Sequence, residues 1–226
     1  MAGEEVDLML VISPHLDDAV LGLGQHMTDN PGGTCVTVFA GAPDPYPKLI
    51  DRPHDDRCGF DEDDDVVAIR RDEDQRALDQ IGWKARHLGF LDCQYHIAER
   101  PRKFRGELID ALLGEWEGTG RPGGIWAPLA ISHPDHTYVR DVAAQVCRVA
   151  GVPLVVWAEP GYRSRFLTEA ENLIGIRTDG WLVEEVVWPM EKLRALLAYE
   201  SQLHGITAAA LADALTYECY GKWRLT

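Results

Sequence analysis

Positive charge is scarce in this chain of 226 residues: 22 Lys and Arg stand against 37 Asp and Glu, a formal net charge of −15. Such a chain repels phosphate backbones and anionic membrane surfaces, so nucleic acid and other polyanions are not expected partners. Long apolar runs are missing as well. None approaches the ~20 residues that a membrane helix needs, so no transmembrane segment is expected. Met1-Ala2-Gly3-Glu4-Glu5 is acidic where a signal peptide is basic, and the expected location is cytoplasmic. The five cysteines (Cys35, Cys58, Cys93, Cys147, Cys219) are an odd, scattered set without a C-x-x-C pair. Neither a disulfide framework nor a Cys-rich zinc site fits them, and most are expected to be buried thiols. Internal repeats and low-complexity segments are absent too, and nothing in the sequence signals an oligomeric state.

What the chain does have is 46% hydrophobic residues, enough for a substantial core at this length. Residues 1–226 are therefore read as a single domain, about 1–160 forming an α/β core and about 161–226 a C-terminal part that shapes a pocket. The apolar, β-branched run from Val6 to Ser13 reads as a buried strand. Ala19 to Met27 is compatible with a short helix in which Gly22 and Gly24 serve close packing or the approach of a ligand, and Thr34 to Ala40 reads as a second strand. Strand, helix and strand in this order make a parallel βαβ unit, the start of a doubly wound sheet.

Further helices are expected at 66–81 (capped by Asp64 or Asp65 and stopped at Gly82), 104–116, 137–149 (capped by Asp135 or its neighbours) and 190–203. Strands are expected at 86–91, 125–129 and 153–157, with two more at 172–177 and 181–187 and an edge strand at 217–223. The alternating charges of 66–81 read as a solvated face with i,i+4 pairs. Residues 41–65, with four prolines and an acidic cluster, read as a long irregular loop. His54, Asp55 and Asp56 within it read as a solvated charge run rather than a second metal site.

The chemistry concentrates at two strand ends. The first strand leads into Pro14-His15-Leu16-Asp17-Asp18, and the strand at 125–129 into Ser132-His133-Pro134-Asp135-His136. Open α/β sheets place their sites at such carboxyl ends. Either cluster alone reads equally well as a loop of turn and capping residues; their pairing favours a site. His15, Asp18 and His136 would form a His₂-carboxylate set for Zn²⁺, or another divalent ion such as Fe²⁺, with positions left for water and substrate. Asp17 is then the candidate general base, His133 the candidate donor to an oxyanion or leaving amine, and Asp135 the candidate residue to orient His136 or His133.

Ser13-Pro14-His15-Leu16-Asp17-Asp18 together with His133-Pro134-Asp135-His136 resembles the paired signatures of the PIG-L/LmbE-like deacetylases, zinc enzymes that remove an N-acyl group from glucosamine-type sugars. Arg70-Arg71-Asp72-Glu73 resembles that family's arginine- and glutamate-bearing helix, and His87 to Asp92 its Leu-Gly strand and following Asp. Tyr199-Glu200-Ser201-Gln202 is similar to its C-terminal Ser-Gln element. The resemblance implies a Rossmann-like three-layer α/β sandwich with a mostly parallel sheet. It implies zinc held by His15, Asp18 and His136, Asp17 as base, and His133 as oxyanion stabiliser or acid. It puts Arg70 or Arg71 and Asp92 where the family contacts sugar hydroxyls. The implied partner is a small amino sugar or glycoconjugate. Leu16 stands where the family usually has Pro, and Ala19 where it often has Glu, which removes one partner from the metal's surroundings. The rivals are another metal-dependent amidase or esterase on the same scaffold and a non-catalytic sugar- or metal-binding module; a binder would need neither Asp17 nor His133.

Overall fold

The computed structural model describes residues 8–95, 102–130, 133–160, 178–186 and 190–223. Its strands are β1 (Leu10–Ser13), β2 (Thr34–Thr37), β3 (Lys84–His87), β4 (Ile125–Pro128), β5 (Leu154–Trp157), β6 (Thr178–Glu185) and β7 (Tyr217–Trp223). The α-helices among the described residues are α1 (Asp18–Asp29), α2 (Pro53–Cys58), α3 (Val66–Gln80), α4 (Arg102–Gly118), α5 (Pro134–Ala150), α6 (Met190–Leu197) and α7 (Ala208–Ala214). One sheet runs in the order β3-β2-β1-β4-β5-β7-β6. Its first five strands are parallel, and β7 pairs antiparallel with both β5 and β6. This is the expected Rossmann-like α/β fold. The strand order reverses direction between β1 and β4, which opens a crevice at their carboxyl ends.

Alternation along each strand explains the layers, since successive side chains point to opposite faces. Leu10 and Ile12 of β1, Ile125 and Ala127 of β4, and Leu154 and Val156 of β5 enter one core together with Leu108 and Leu112 of α4 and Val139 and Val142 of α5. Val11 and Trp157 enter the other, with Val20 and Leu23 of α1, Leu78 of α3 and Leu196 of α6. Helix α3 starts where expected, the Asp65 side chain accepting from the Ala68 N–H at 3.2 Å, and the chain leaves it through Gly82 at φ +74°.

Several expectations need correcting. β7 is interior, covered on its outer side by β6, because the antiparallel return lets 178–185 add as the last strand. The helix expected at 190–203 ends at Leu197, and the following residues turn back to bond α3 through Tyr199 and Ser201. Helix α5 begins at Pro134 with His133 as its N-cap, so His136 belongs to the first helical turn. Residues 41–65 contain α2, and Asp55 there is fully buried against Arg52 at 3.3 Å and the Tyr95 hydroxyl at 2.9 Å, not solvated. On α3 the charge pattern is solvated only in part: Asp72 and Arg76 pair on the surface at 3.0 Å, while Arg70, Glu73 and Asp74 are buried. The strand expected at 172–177 and Ser132 lie outside the described residues.

Gly22 and Gly24 prove to be close-packing positions. A Cβ on Gly22 would come within 2.4 Å of the fully buried Trp157 ring, and one on Gly24 within 2.9 Å of Lys192 Cγ. Alanine gains about 1 kcal/mol of helix propensity over glycine, whereas overpacking a filled core costs about 1–3 kcal/mol. At 2.4 Å against an aromatic ring with no room to move, the clash wins. Gly22→Ala is therefore expected to lower stability by about 1–2 kcal/mol in urea denaturation; an unchanged or raised midpoint would contradict this packing.

Candidate functional site

The turn after β1 is wound by its own polar groups. Ser13 Oγ donates to the His15 carbonyl at 2.7 Å and accepts the Ala19 N–H at 3.2 Å. The Asp18 carboxylate accepts the His15 N–H at 2.9 Å, from a position at the α1 N-terminus where negative charge is favoured. His15, Asp17 and Asp18 thus leave one tight turn at the sheet's carboxyl edge.

The second cluster is set by strain that its neighbours offset. Ala130, just past β4, has φ +60°, a left-handed conformation that costs a side-chain-bearing residue about 1–2 kcal/mol. The Glu159 carboxylate accepts its N–H at 3.1 and 3.2 Å, and Arg140 Nη1 donates to the carbonyls of Leu129 at 3.2 Å and Ala130 at 2.9 Å. His133 then caps α5, its Nδ1 accepting the Asp135 N–H at 3.3 Å. Pro134 fixes the first helical residue, and His136 emerges one turn on, facing His15.

The two clusters meet in a small triangle. His15 Nδ1 lies 3.2 Å from His136 Nε2 and 3.2 Å from Asp18 Oδ2, and His136 Nε2 lies 3.1 Å from Asp18 Oδ2. A tetrahedral Zn²⁺ with His and Asp bonds of ~2.0–2.1 Å sets its donor atoms ~3.3 Å apart. The donor set therefore fits such an ion in both chemistry and spacing. His133 also brings a ring nitrogen within 4.8 Å of ligand atoms of His15 and His136.

The outer nitrogen of each facing imidazole meets a carboxylate. His15 Nε2 lies 3.1 Å from Asp135 Oδ2 and 3.6 Å from Asp92 Oδ2, and His136 Nδ1 lies 3.0 Å from Glu159 Oε1. Such pairing fixes ring orientation and raises the basicity of the nitrogen turned to a metal. The Asp135 carboxylate thus hydrogen-bonds His15, which the sequence does not suggest, while its backbone N–H donates to His133 Nδ1 and its carboxylate lies within 4.8 Å of a His133 ring nitrogen. Glu159 escapes the sequence reading altogether, although it stands just past β5 at the same edge as the other site residues.

The electrostatics call for a cation. Burial lowers the His15 pKa, but the Asp92 charge and the bonds to Asp135 and Asp18 outweigh it and raise the pKa to about 9. His136 rises to about 11, burial again being outweighed by Asp18 and Glu159. Asp18 is held well below the usual carboxylate range, its burial overcome by His136 and His15. Burial and the Asp18 charge push Asp17 up, whereas burial and the charges of His15 and His136 bring His133 down to about 4.

These groups line a cleft of about 460 Å³. The structure separates the two candidate arginines. Arg70 is buried and lines the cleft, its Nε without a hydrogen bond among the described residues. Arg71 turns away to the Ala40 carbonyl at 2.8 Å. Asp92 lines the cleft beside Arg70 and is steadied by the Gln94 N–H at 2.9 Å. His54 and Arg57 of α2 complete the wall. The sequence signal missed for Arg70 is the buried stripe Val66, Arg70, Asp74, Ala77, in which polar residues share helical spacing with apolar ones.

The model of the PIG-L family, GlcNAc-PI de-N-acetylase, matches residues 10–147. No curated protein matches the sequence. Among solved structures, the A40926 pseudoaglycone deacetylase Dbv21 is 28% identical with a TM-score of 0.82, the match covering 98% of each chain. A zinc-inhibited form of the teicoplanin deacetylase Orf2 is 28% identical at a TM-score of 0.76, covering 96% of this chain and 98% of that one. A deacetylase–teicoplanin complex is 26% identical at 0.74, with coverage of 96% and 98%. Matched by the family model over more than half its length, the chain belongs to the PIG-L family and is a hydrolase of the de-N-acetylase type.

Proposed function

We propose that this protein removes the acetyl group from an N-acetylglucosamine unit of a soluble glycoconjugate of glycopeptide type, with Zn²⁺ held by His15 Nδ1, His136 Nε2 and Asp18 Oδ2. The observation that carries this reading is the triangle of those three atoms, 3.1 to 3.2 Å on each edge. Three protein donors leave a tetrahedral site one open position, as hydrolysis requires. Likeness along almost the whole chain to deacetylases of teicoplanin and the A40926 pseudoaglycone supports the substrate class. The net charge of −15 argues against an anionic lipid carrier, and no helix among the described residues is long and apolar enough to cross a membrane.

Held there, the ion supplies Lewis acidity toward water and the amide carbonyl. Asp17 takes a proton from the attacking water; burial raises its pKa and makes it the stronger base. His133 is a neutral hydrogen-bond donor. Its Nδ1 accepts the Asp135 N–H, so the ring proton sits on Nε2, and with its pKa down to about 4 the ring stays uncharged near neutral pH. It donates to the oxyanion that forms when water adds to the carbonyl carbon. As the C–N bond breaks, Asp17 passes its proton to the leaving nitrogen, and acetate and the free amino sugar result. Arg70 donates to sugar hydroxyls and Asp92 accepts from them. Residues 1–226 act together as one domain in this scheme.

Acetate release from N-acetylglucosamine glycosides and from glycopeptide pseudoaglycones, assayed with zinc and with chelator, tests the reading. Activity is expected with zinc alone, and Asp17→Asn is expected to lower kcat about 10²- to 10⁴-fold; full activity in that variant would remove Asp17 as base. Glu159→Ala takes away the partner of His136 Nδ1, so zinc affinity measured against a competing chelator should fall about 10- to 100-fold. Unchanged affinity would separate Glu159 from the metal site.

Protons replace the ion in the metal-free protein. His15 and His136 have folded pKa values raised above the unfolded value of 6.5. Their contribution to stability is complete below that value and lost as pH rises through about 9 for His15 and about 11 for His136. The urea midpoint of chelator-treated protein should accordingly fall between pH 6.5 and 9, and His15→Asn should flatten the fall; a flat profile in the unaltered protein would contradict these charge balances.

A further inference from the structure

Helix α2 is tied to the cleft by a chain of hydrogen bonds whose direction is fixed at every link. It begins at Glu73 of α3, which is 2% exposed. One Glu73 oxygen accepts the Ser201 N–H at 2.8 Å and the other lies 2.6 Å from Ser201 Oγ. A carboxylate only accepts, so the Ser201 hydroxyl donates to it and has only lone pairs left for its second partner. That partner is the side-chain amide of Gln202, which must therefore donate through Nε2, at 2.7 Å. The amide orientation follows: Gln202 Oε1 faces His54 Nε2 at 3.0 Å. A carbonyl oxygen cannot donate, so Nε2 carries the His54 ring proton. In this Nε2–H tautomer Nδ1 carries the ring's lone pair, and no described residue hydrogen-bonds to it.

The ring is held in place as well as in tautomer. Gln202 is 1% exposed. A Cβ on Gly205 would stand 3.0 Å from Cys58 Sγ and 3.4 Å from His54 Cε1, so the C-terminal turn packs directly onto α2. His54 lines the same cleft as Asp17, Arg70 and Asp92. Of these, Arg70 only donates and the carboxylates only accept as ions, so an imidazole lone pair adds a distinct kind of recognition.

We propose that His54 is a specificity residue of this site, its Nδ1 accepting a hydrogen bond from one hydroxyl of the bound amino sugar. The proposal rests on the reading of the cleft as an amino-sugar deacetylase site. The Glu73-Ser201-Gln202 chain sets the tautomer in advance, so His54 rejects a sugar lacking that hydroxyl because Nδ1 is then desolvated without a donor.

The test compares kcat and KM of the zinc-loaded protein and its variants for an N-acetylglucosamine glycoside and its 3-, 4- and 6-deoxy analogues. One analogue is expected to cost the unaltered protein about tenfold in kcat/KM, mostly through KM. His54→Ala should lose about tenfold on the parent sugar and no longer distinguish that analogue. His54→Asn, which keeps a polar acceptor near the position of Nδ1, should restore part of the distinction, whereas a folding defect would not be repaired selectively for one analogue. If His54→Ala discriminates among the deoxy sugars as the unaltered protein does, His54 makes no such contact and the deacetylase reading stands. If the unaltered protein deacetylates no sugar of the panel, that reading fails and this proposal with it.

Discussion

Two imidazole nitrogens and a carboxylate oxygen from opposite sides of the sheet's switch point lie within 3.2 Å of one another, and the polar architecture behind them exists to hold that contact. Donor atoms so close repel as lone pairs unless a positive charge sits among them. His15 and His136 draw protons strongly, and the donor set matches a tetrahedral ion in spacing. The fold makes the meeting possible by parting the chain directions at β1 and β4, so that the turn after one strand and the helix start after the other face each other across the crevice.

Around that contact the acidic character of the chain becomes local and specific. Asp92 follows β3, Asp135 opens α5 and Glu159 follows β5, and each sends a carboxylate to a ring of the His15/His136 pair. Glu159 has a double task, since the same carboxylate accepts from the left-handed Ala130 and so shapes the loop that leads to His133. Orientation of one imidazole and geometry of the neighbouring loop are therefore coupled through a single side chain. Arg70 supplies the opposing charge in the cleft; burial works against its ionisation, but Asp17 and Asp92 raise its pKa, so it stays a cation.

The parallel half of the sheet and both strand ends that carry the His15 and His136 clusters were legible because they obey local rules: β-branched runs, a proline, and charged groups crowded just past a strand. Glu159 obeyed the same positional rule but stood alone in its loop, with no clustering to mark it. The burial of Arg70, Glu73 and Asp74 was hidden for another reason. Their partners, such as His87, Tyr199 and Ser201, come from distant parts of the chain, and alternating charge on a helix looks the same whether water or a buried network satisfies it. The order within 41–65 was lost in the same way, since Arg52 and Asp55 make an ion pair that only the packed loop buries. The interior place of β7 depends on β6, whose position no local pattern fixes.

The C-terminal part then has a larger share in the site than shaping a wall. Glu218 on β7 accepts the N–H groups of Gln25 and His26 of α1 at 2.7 and 2.8 Å, with Lys192 Nζ at 2.6 Å, and both charged groups are buried. Breaking such a pair strands a buried charge, at a cost of about 3–5 kcal/mol. That pair grips the helix whose first residue is Asp18. Tyr199 bonds Asp74 at 2.7 Å and Ser201 bonds Glu73, gripping the helix that carries Arg70, and Gln202 reaches His54. Helices α1, α2 and α3, which bring the cleft-lining Asp18, His54 and Arg70 to the site, are thus each bonded by polar side chains from residues 192–218. A defect there would reach the cleft through helix position, leaving every cleft residue chemically intact.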